Sequence, residues 1–323
     1  MNFPHNFSLK TVLTALIAAL LTALTLSACA PSGSTADNTS ASSTPESTGA
    51  RADGSGRVVV LDGRRDLDIA LSLGLNVVGF PVESEASASD LDSPLKKLTD
   101  AAKSAGAKEL FDRGNVNLEA IAAARPSTII GRDKVAAPIH AQLEKIAPVV
   151  QVGSVDTGVN WQDDLAKVAA ATGTEEKAAQ LAAAYEQRIA DLKAKYADAL
   201  GRETLTQFSY NAEDLTANKN RLPVQVMTDL GATLADNVAA AGADSLEYSH
   251  EETSDALSNA TLALVSISTP DELALAKADP LLARSPLFAL DRWVRTDKFT
   301  NDGGPSTAMF VTDLVAQLLD KAA

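Results

Sequence analysis

The stretch Asp112 to Arg132, DRGNVNLEAIAAARPSTIIGR, restricts the possible folds more than any other part of the chain. Asn117 is placed to cap a helix by accepting from a backbone N–H two or three residues on. Pro126 ends that helix before four residues, Ser127 to Ile130, that suit a buried strand. A short helix running straight into an apolar strand calls for a sheet that receives strands by crossover. Leu118, Ile121 and Ala122 share one helical face, whereas Glu119 points the other way in the first turn, where a carboxylate meets the helix's positive end. Arginines flank this acid, with Arg113 before the helix and Arg132 just past the strand.

The same alternation runs through the chain. Arg57–Leu61 reads as a buried strand, Asp66–Leu73 as an amphipathic helix stopped by Gly74, and Asn76–Phe80 as a second strand. A helix near Leu95–Ala105 precedes the 112–132 stretch, and a helix over Ala137–Ile146 and a strand over Val149–Val152 follow it. Short strands joined through helices predict a parallel sheet covered on both faces. Trp161–Leu200 holds the longest helical pattern, with Gly173 closing a first segment and Thr174 placed to cap a second. Leu181, Tyr185, Ile189, Leu192 and Tyr196 form its apolar stripe, on a rod roughly 35 Å long. Such a helix suits a coiled-coil arm or ordinary packing. Beyond it, Thr204–Tyr210 restarts the alternation, with a helix over Leu222–Leu230 ended by Gly231. Ser249–Ile267 then echoes the 112–132 stretch: Glu252 precedes Leu262 by the spacing that separates Glu119 from Ile129. Pro280–Leu290, a strand-like Trp293–Arg295 and a last helix over Ser306–Leu319 complete the second half.

The Asn-Leu-Glu-Ala-Ile-Ala-Ala run with its following Arg-Pro and paired isoleucines resembles the signature of bacterial substrate-binding lipoproteins that deliver ferric siderophores, haem or cobalamin to ABC importers. The likeness extends from about Arg57 to the C-terminus, and one departure is Pro126-Ser127-Thr128-Ile129 where the family carries Pro-Asp-Leu-Ile. The resemblance implies two Rossmann-like α/β lobes with parallel sheets joined by one long bridging helix, the class III periplasmic-binding-protein arrangement. On that reading the chain divides into a lipoprotein signal peptide (1–28), a lipidated cysteine with a tether (29–56), an N-terminal lobe (57–160), the bridging helix (161–200) and a C-terminal lobe (201–323).

Composition agrees with an exported carrier. The chain of 323 residues is 46% hydrophobic, enough for two lobes with cores, and its net charge of −14 argues against nucleic acid and anionic lipid as partners. Thr11–Thr25 is an apolar run the size of a signal-peptide core, too short for a comfortable membrane span. The only cysteine, Cys29, follows Leu26-Ser27-Ala28, a tetrad resembling the lipobox whose cysteine carries the lipid anchor. Ala30–Gly56 is then a Ser/Thr/Pro/Gly-rich tether reaching on the order of 25–30 Å from the outer face of the cell membrane.

In open α/β sheets ligands bind at the carboxyl ends of strands. Those ends present Arg64 and Arg65, Arg132 and Lys134, Tyr210 and Asn211, and Arg295. Cations gathered there in an acidic chain suit an oxygen-rich, electron-dense ligand. By its distance from the Asn-Leu-Glu run, Arg113 also matches an arginine that contacts iron-bound oxygens in hydroxamate-binding members. The resemblance further implies that one glutamate per lobe meets arginines on the importer's permease subunits. Glu119 is the match in the first lobe; in the second, Glu252 matches by spacing and Glu251 by the family's Ser-x-Glu pattern. No cofactor is expected on the protein itself, the iron arriving with its siderophore. His5, His140 and His250 are too few for a zinc or manganese carrier, and haem would want an axial ligand from Tyr210, Tyr248, His140 or His250. Phosphate-binding loops, nucleophile elbows and Cys/His metal patterns are missing, so no catalysis is expected. Other readings are a haem or cobalamin carrier of the same fold and a structural or adhesive surface lipoprotein.

Overall fold

The computed structural model describes residues 56–83, 89–241 and 245–322; the Thr11–Thr25 run, Cys29 and nearly all of the tether lie outside the described residues. The first sheet contains β1 (Arg57–Val60), β2 (Asn76–Val82), β3 (Lys108–Asp112), β4 (Thr128–Arg132) and β5 (Val149–Val152). Its order is β3-β2-β1-β4-β5 with every neighbouring pair parallel. The chain leaves the central β1 toward one edge and returns on the other side as β4. Strand order therefore reverses between β1 and β4, and the loops beyond their carboxyl ends diverge there.

Local chemistry accounts for these elements. The Asn117 side chain caps the helix Leu118–Ala124 by accepting from the Ala120 amide at 3.0 Å, and Arg125, at φ 48°, turns the chain out of the helix toward Pro126. Gly74, at φ 76°, ends the helix Arg65–Ser72 where the sequence places a stop. The helix expected over 137–146 is broken instead into Asp133–Ala136, a 3-10 turn Ala137–Ile139 and His140–Leu143. Pro138 withholds the amide that a continuous helix needs.

The second sheet comprises β6 (Thr204–Tyr210), β7 (Leu215–Ala217), β8 (Thr233–Leu234), β9 (Leu246–Tyr248), β10 (Leu262–Ser266) and β11 (Trp293–Thr296), in the order β11-β10-β6-β7-β9 with β8 on the start of β6. β6, β8, β10 and β11 are parallel, as expected; β7 and β9 add an antiparallel edge. Only four residues link β6 to β7, and the Asn211 side chain closes that turn by accepting from the amides of Glu213 and Asp214. So short a link permits a reversal but no crossover. Pro280–Leu290 divides into two helices, Pro280–Arg284 and Pro286–Ala289, because Asp279 and Ser285 each cap a new start ahead of a proline.

Between the sheets, the 161–200 region forms three helices in succession: Trp161–Thr172, Glu175–Lys195 and Ala197–Arg202. Gly173, at φ 66°, makes the first break; Thr174 does not cap with its side chain, whose hydroxyl instead pairs with that of Thr172. The longest segment, 21 residues, is about 31 Å long and buries Tyr185, Ile189 and Leu192 of the expected stripe. Trp161 is fully buried edge-on to Tyr185, at 5.1 Å between ring centroids. The Tyr185 hydroxyl donates to Asp229 at 2.7 Å. One continuous apolar cluster includes Val60 and Phe80 of the first sheet, Trp161 and Tyr185, and Leu205 and Leu264 of the second. The molecule thus has two sheets but a shared core.

The last helix, Pro305–Leu319, crosses the same junction. It buries Val311, Leu314, Val315 and Leu318 in the shared cluster, yet its N-terminus carries no cap from its own sequence. Asp68, on the first helix of the first lobe, supplies one. Its carboxylate accepts from the amides of Gly304 (2.9 Å), Ser306 (3.1 Å) and Thr307 (2.9 Å) and from the Thr307 hydroxyl (2.7 Å). A Cβ on Gly304 would stand 2.9 Å from the Ile69 side chain and 3.2 Å from the Asp68 carboxyl carbon, so only glycine lets the two lobes approach this closely.

Candidate functional site

The turn after β1 is held by Asp66, whose carboxylate accepts from the amides of Leu61, Asp62, Arg64 and Leu67. Burial and the neighbouring Asp62 charge push its pKa up to about 6, although the amide bonds pull the other way. This turn carries Asp62 and Arg64 to the carboxyl edge of the first sheet, at the strand-order reversal. Three of the expected arginines converge there. Arg113 donates from Nη2 to Asp62 Oδ1 at 2.9 Å and from Nε to the Asp62 carbonyl at 3.1 Å. Arg132 Nη1 lies 3.8 Å from the other Asp62 oxygen. Arg64 Nη2 donates to Glu83 at 3.1 Å, and Arg113 is 3.5 Å from the same carboxylate. Glu83 and Asp62 therefore act as spacers that hold three guanidinium groups side by side against their mutual repulsion. The Nε atoms of Arg64 and Arg132 are buried without an acceptor among the described residues.

The second lobe adds two residues to this edge, Phe299 and Lys298. Phe299 presents its ring to Arg64, whose Cζ lies 5.2 Å from the ring centroid, and Lys298 Nζ lies 5.4 Å from the same centroid. Both belong to a 3-10 turn, Lys298–Thr300, capped by the Asp297 side chain just past β11. Strand-end position was the signal available for Lys298. One cavity of about 340 Å³ reaches Glu83 and Phe299, and another of about 520 Å³ reaches Lys134 and Asp156, the latter 3.7 Å from Arg132. A separate depression of about 380 Å³ between Asn160, Asn220 and Asp229 gathers no comparable charge.

Three expected ligand contacts lie elsewhere. Arg65, one residue from Arg64, turns into the junction of the lobes and is 2% exposed. It binds Asp302 (2.7 Å), Asp164 (2.8 Å) and the Val159 carbonyl (2.7 Å). Burial alone would lower its pKa, but the two carboxylates more than offset that and raise it. It is a buried strut with no free donor face for a ligand. Arg295 is likewise committed, to Asp90 of the first lobe and to the Ile267 carbonyl. Tyr210 packs in the outer core of the second lobe and donates to Asp279 at 3.1 Å, edge-on to His250, which meets the same carboxylate at 2.8 Å. Burial and Asp279 raise the phenol's pKa. For Asp279, burial is outweighed by the His250, Leu281, Leu282 and Tyr210 hydrogen bonds, which hold it below the usual carboxylate range. His140 sits on the surface beside Glu144. Among the described residues no three His, Cys, Asp or Glu side chains are grouped to hold a metal ion, and no helix is long and apolar enough to cross a membrane.

Two open-sheet lobes on one core, with a basic edge at the strand ends, invite comparison with known proteins. The sequence profile described as periplasmic binding protein matches residues 58–285. The chain belongs to that family. Over 126 residues it is 29% identical to the probable siderophore-binding lipoprotein YfiY of Bacillus subtilis (strain 168), covering 39% of this chain and 38% of that protein, so the match spans well under half of the relative. Its fold is that of SirA from Staphylococcus aureus (TM-score 0.66, 22% identity, 82% of this chain and 98% of SirA). It is likewise that of FeuA from Bacillus subtilis (TM-score 0.66, 18% identity, 81% of this chain and 93% of FeuA).

The acidic tips of this periplasmic binding protein occupy matched positions. Glu119 is the second residue of a helix capped by Asn117, and Glu251 is the second residue of a turn capped by Ser249. Both are exposed. Glu252, matched by its distance to the strand, folds back instead: its carboxylate accepts from the Ser249 amide (2.8 Å) and hydroxyl (2.9 Å). Those bonds lower its pKa and complete a capping box. Counted from its cap, Glu251 holds the position in its turn that Glu119 holds in its helix, whereas Glu252 is tied to Ser249.

Proposed function

We propose that this periplasmic binding protein captures a ferric siderophore at the basic edge between its lobes and hands it to an ABC importer. Lipid on Cys29 tethers it to the cell membrane. It works as a monomer, makes and breaks no covalent bond and supplies no cofactor; the iron arrives inside its chelator. Glu119 and Glu251 project as handles for arginines on the permease, a rim charge pattern that steers encounter and allows release. The similar structures give support, since they include SirA complexed with staphyloferrin B and FeuA complexed with ferri-bacillibactin. Haem in place of a siderophore would need an axial ligand, and Tyr210 and His250 are both committed to Asp279.

The observation that carries this reading is the meeting of Arg113 and Arg132 at one carboxylate, Asp62, beside Arg64. Guanidinium forks so arranged offer charge-assisted donors to chelate oxygens. Titrating a panel of ferric siderophores against the protein by quenching of intrinsic fluorescence tests it. At least one chelate should bind tightly, and Arg113→Ala and Arg132→Ala should each weaken it about ten-fold or more, the loss of one charge-assisted hydrogen bond. Affinities untouched by both substitutions would favour a structural or adhesive lipoprotein.

A further inference from the structure

Among the described residues the cluster is not electrically balanced. Asp62 is 5% exposed and already shared between Arg113 and Arg132, Glu83 is shared between Arg64 and Arg113, and the exposed Asp156, 3.7 Å from Arg132, is offset by Lys134 at 3.4 Å. Lys298 then adds a fourth cation from the opposite lobe. Among the described residues no carboxylate stands within ion-pair distance of its ammonium, although Arg64 and Arg113 both act on it electrostatically. Its neighbour in space is the Phe299 ring, which also faces the Arg64 guanidinium. A π face offsets part of that repulsion, worth less than a carboxylate would be.

The backbone keeps Lys298 at this place. Asp297, fully buried, accepts from the amides of Phe299 and Thr300, and the Lys298 amide donates to the Ser268 hydroxyl at 3.2 Å. These bonds fix the backbone of the turn, and with it the point from which the lysine side chain extends. Partial burial and then Arg64 lower the ammonium's pKa; Glu83 and Glu272 pull the other way, and Arg113 adds the smallest push downward. A fixed turn that places a cation near two others is electrostatically unfavourable by itself and becomes favourable around an anion.

We propose that the site selects ferric chelates of net negative charge and that Lys298 is the second-lobe residue that reads this charge, facing a chelate seated on Arg64, Arg113 and Arg132. The inference rests on the siderophore-capture reading and narrows it to catecholate- and carboxylate-type complexes, with neutral and cationic trihydroxamates disfavoured. Phe299 serves as the spacer between the two walls of charge.

The test separates charge from shape. One ferric trihydroxamate scaffold is used twice, with its terminal amine free, and so cationic, or succinylated, and so anionic; a ferric tris-catecholate is the third probe. Each is titrated against the protein and against Lys298→Gln by fluorescence quenching at low and at high salt. The expected result is that the succinylated form binds about ten-fold tighter than the amine form. Lys298→Gln and added salt should each reduce that ratio several-fold, and the tris-catecholate should bind tightest. Lys298→Met, which keeps the length of the side chain, should behave as Lys298→Gln does. Equal binding of the two trihydroxamates, or a ratio that survives Lys298→Gln, overturns the inference while leaving siderophore capture intact. Failure of all three chelates to bind overturns both.

Discussion

Replacing Asp68 by alanine is expected to loosen the molecule at the point where its halves are tied. The carboxylate accepts three backbone amides and one hydroxyl at the start of the last helix, and it is 1% exposed. Alanine leaves the amides of Gly304, Ser306 and Thr307 without an acceptor. At about 1–3 kcal/mol for each unsatisfied buried donor, with the low end used because water can enter the space left behind, the loss is about 3–5 kcal/mol. The helix also loses an anion at its positive end. For a domain of this size that corresponds to a melting temperature lower by roughly 5–10 °C. Asp68→Asn, which keeps one oxygen but no charge, should lose about half as much. Urea unfolding gives the free energy, and amide hydrogen exchange locates it: exchange should quicken at Gly304, Ser306 and Thr307 before it does so in β1 or β6. A loss below about 1 kcal/mol, or unchanged exchange at those amides, would refute the claim that the first lobe caps this helix.

Other expectations follow from the same geometry. Arg65→Met strands Asp164 and Asp302 in the junction and should cost about 3–5 kcal/mol, with much of the loss recovered when both acids are also changed to Asn; no recovery would mean that Arg65 acts otherwise than as a strut. Asp66 binds its proton more tightly folded than unfolded, where aspartate sits near about 3.9. Its contribution to stability is therefore full below that value and is lost as pH rises through about 6, at most about 3 kcal/mol. Urea midpoints between pH 4 and pH 7 should fall less steeply for Asp66→Asn than for the native chain, and equal slopes would count against this. Glu252→Ala should lower the melting temperature by removing the capping box. Glu251→Ala should leave the melting temperature alone and slow ligand uptake by cells, an effect that grows as ionic strength drops. The reverse pattern would assign the handle to Glu252.

The central strands were readable because each is an apolar run between a helix stop and a turn; β1, β4 and β10 are buried as such runs should be. β3 was passed over because Lys108, Glu109 and Asp112 make it look like a loop, and at the edge of the sheet those side chains keep access to water. β7 and β9 are three residues each, too short for a periodic signal. The helix Pro270–Ala278 carries a legible start in Thr269 and Glu272, which form a capping box. At the basic edge, the strand-end rule named Arg64 and Arg132 and the family resemblance named Arg113, and the structure brings these three side by side. The rule could not tell Arg64 from Arg65, since the partners that draw Arg65 inward, Asp164 and Asp302, lie far along the chain and meet it only through the packing of both lobes. Arg295 went astray for the same reason, drawn to Asp90. Tyr210 was misplaced because a strand-end residue can face either side of its sheet, and this one faces the outer core.

Because the closing helix of one half is stitched to the opening helix of the other, and Arg65 is clamped beneath them, the groove has little freedom to gape or snap shut. Filled and empty molecules then share nearly one silhouette. If the proposed hand-over to an importer holds, that importer has to sense what the groove contains, its bulk and its neutralised charge, rather than a change in the outline of its partner.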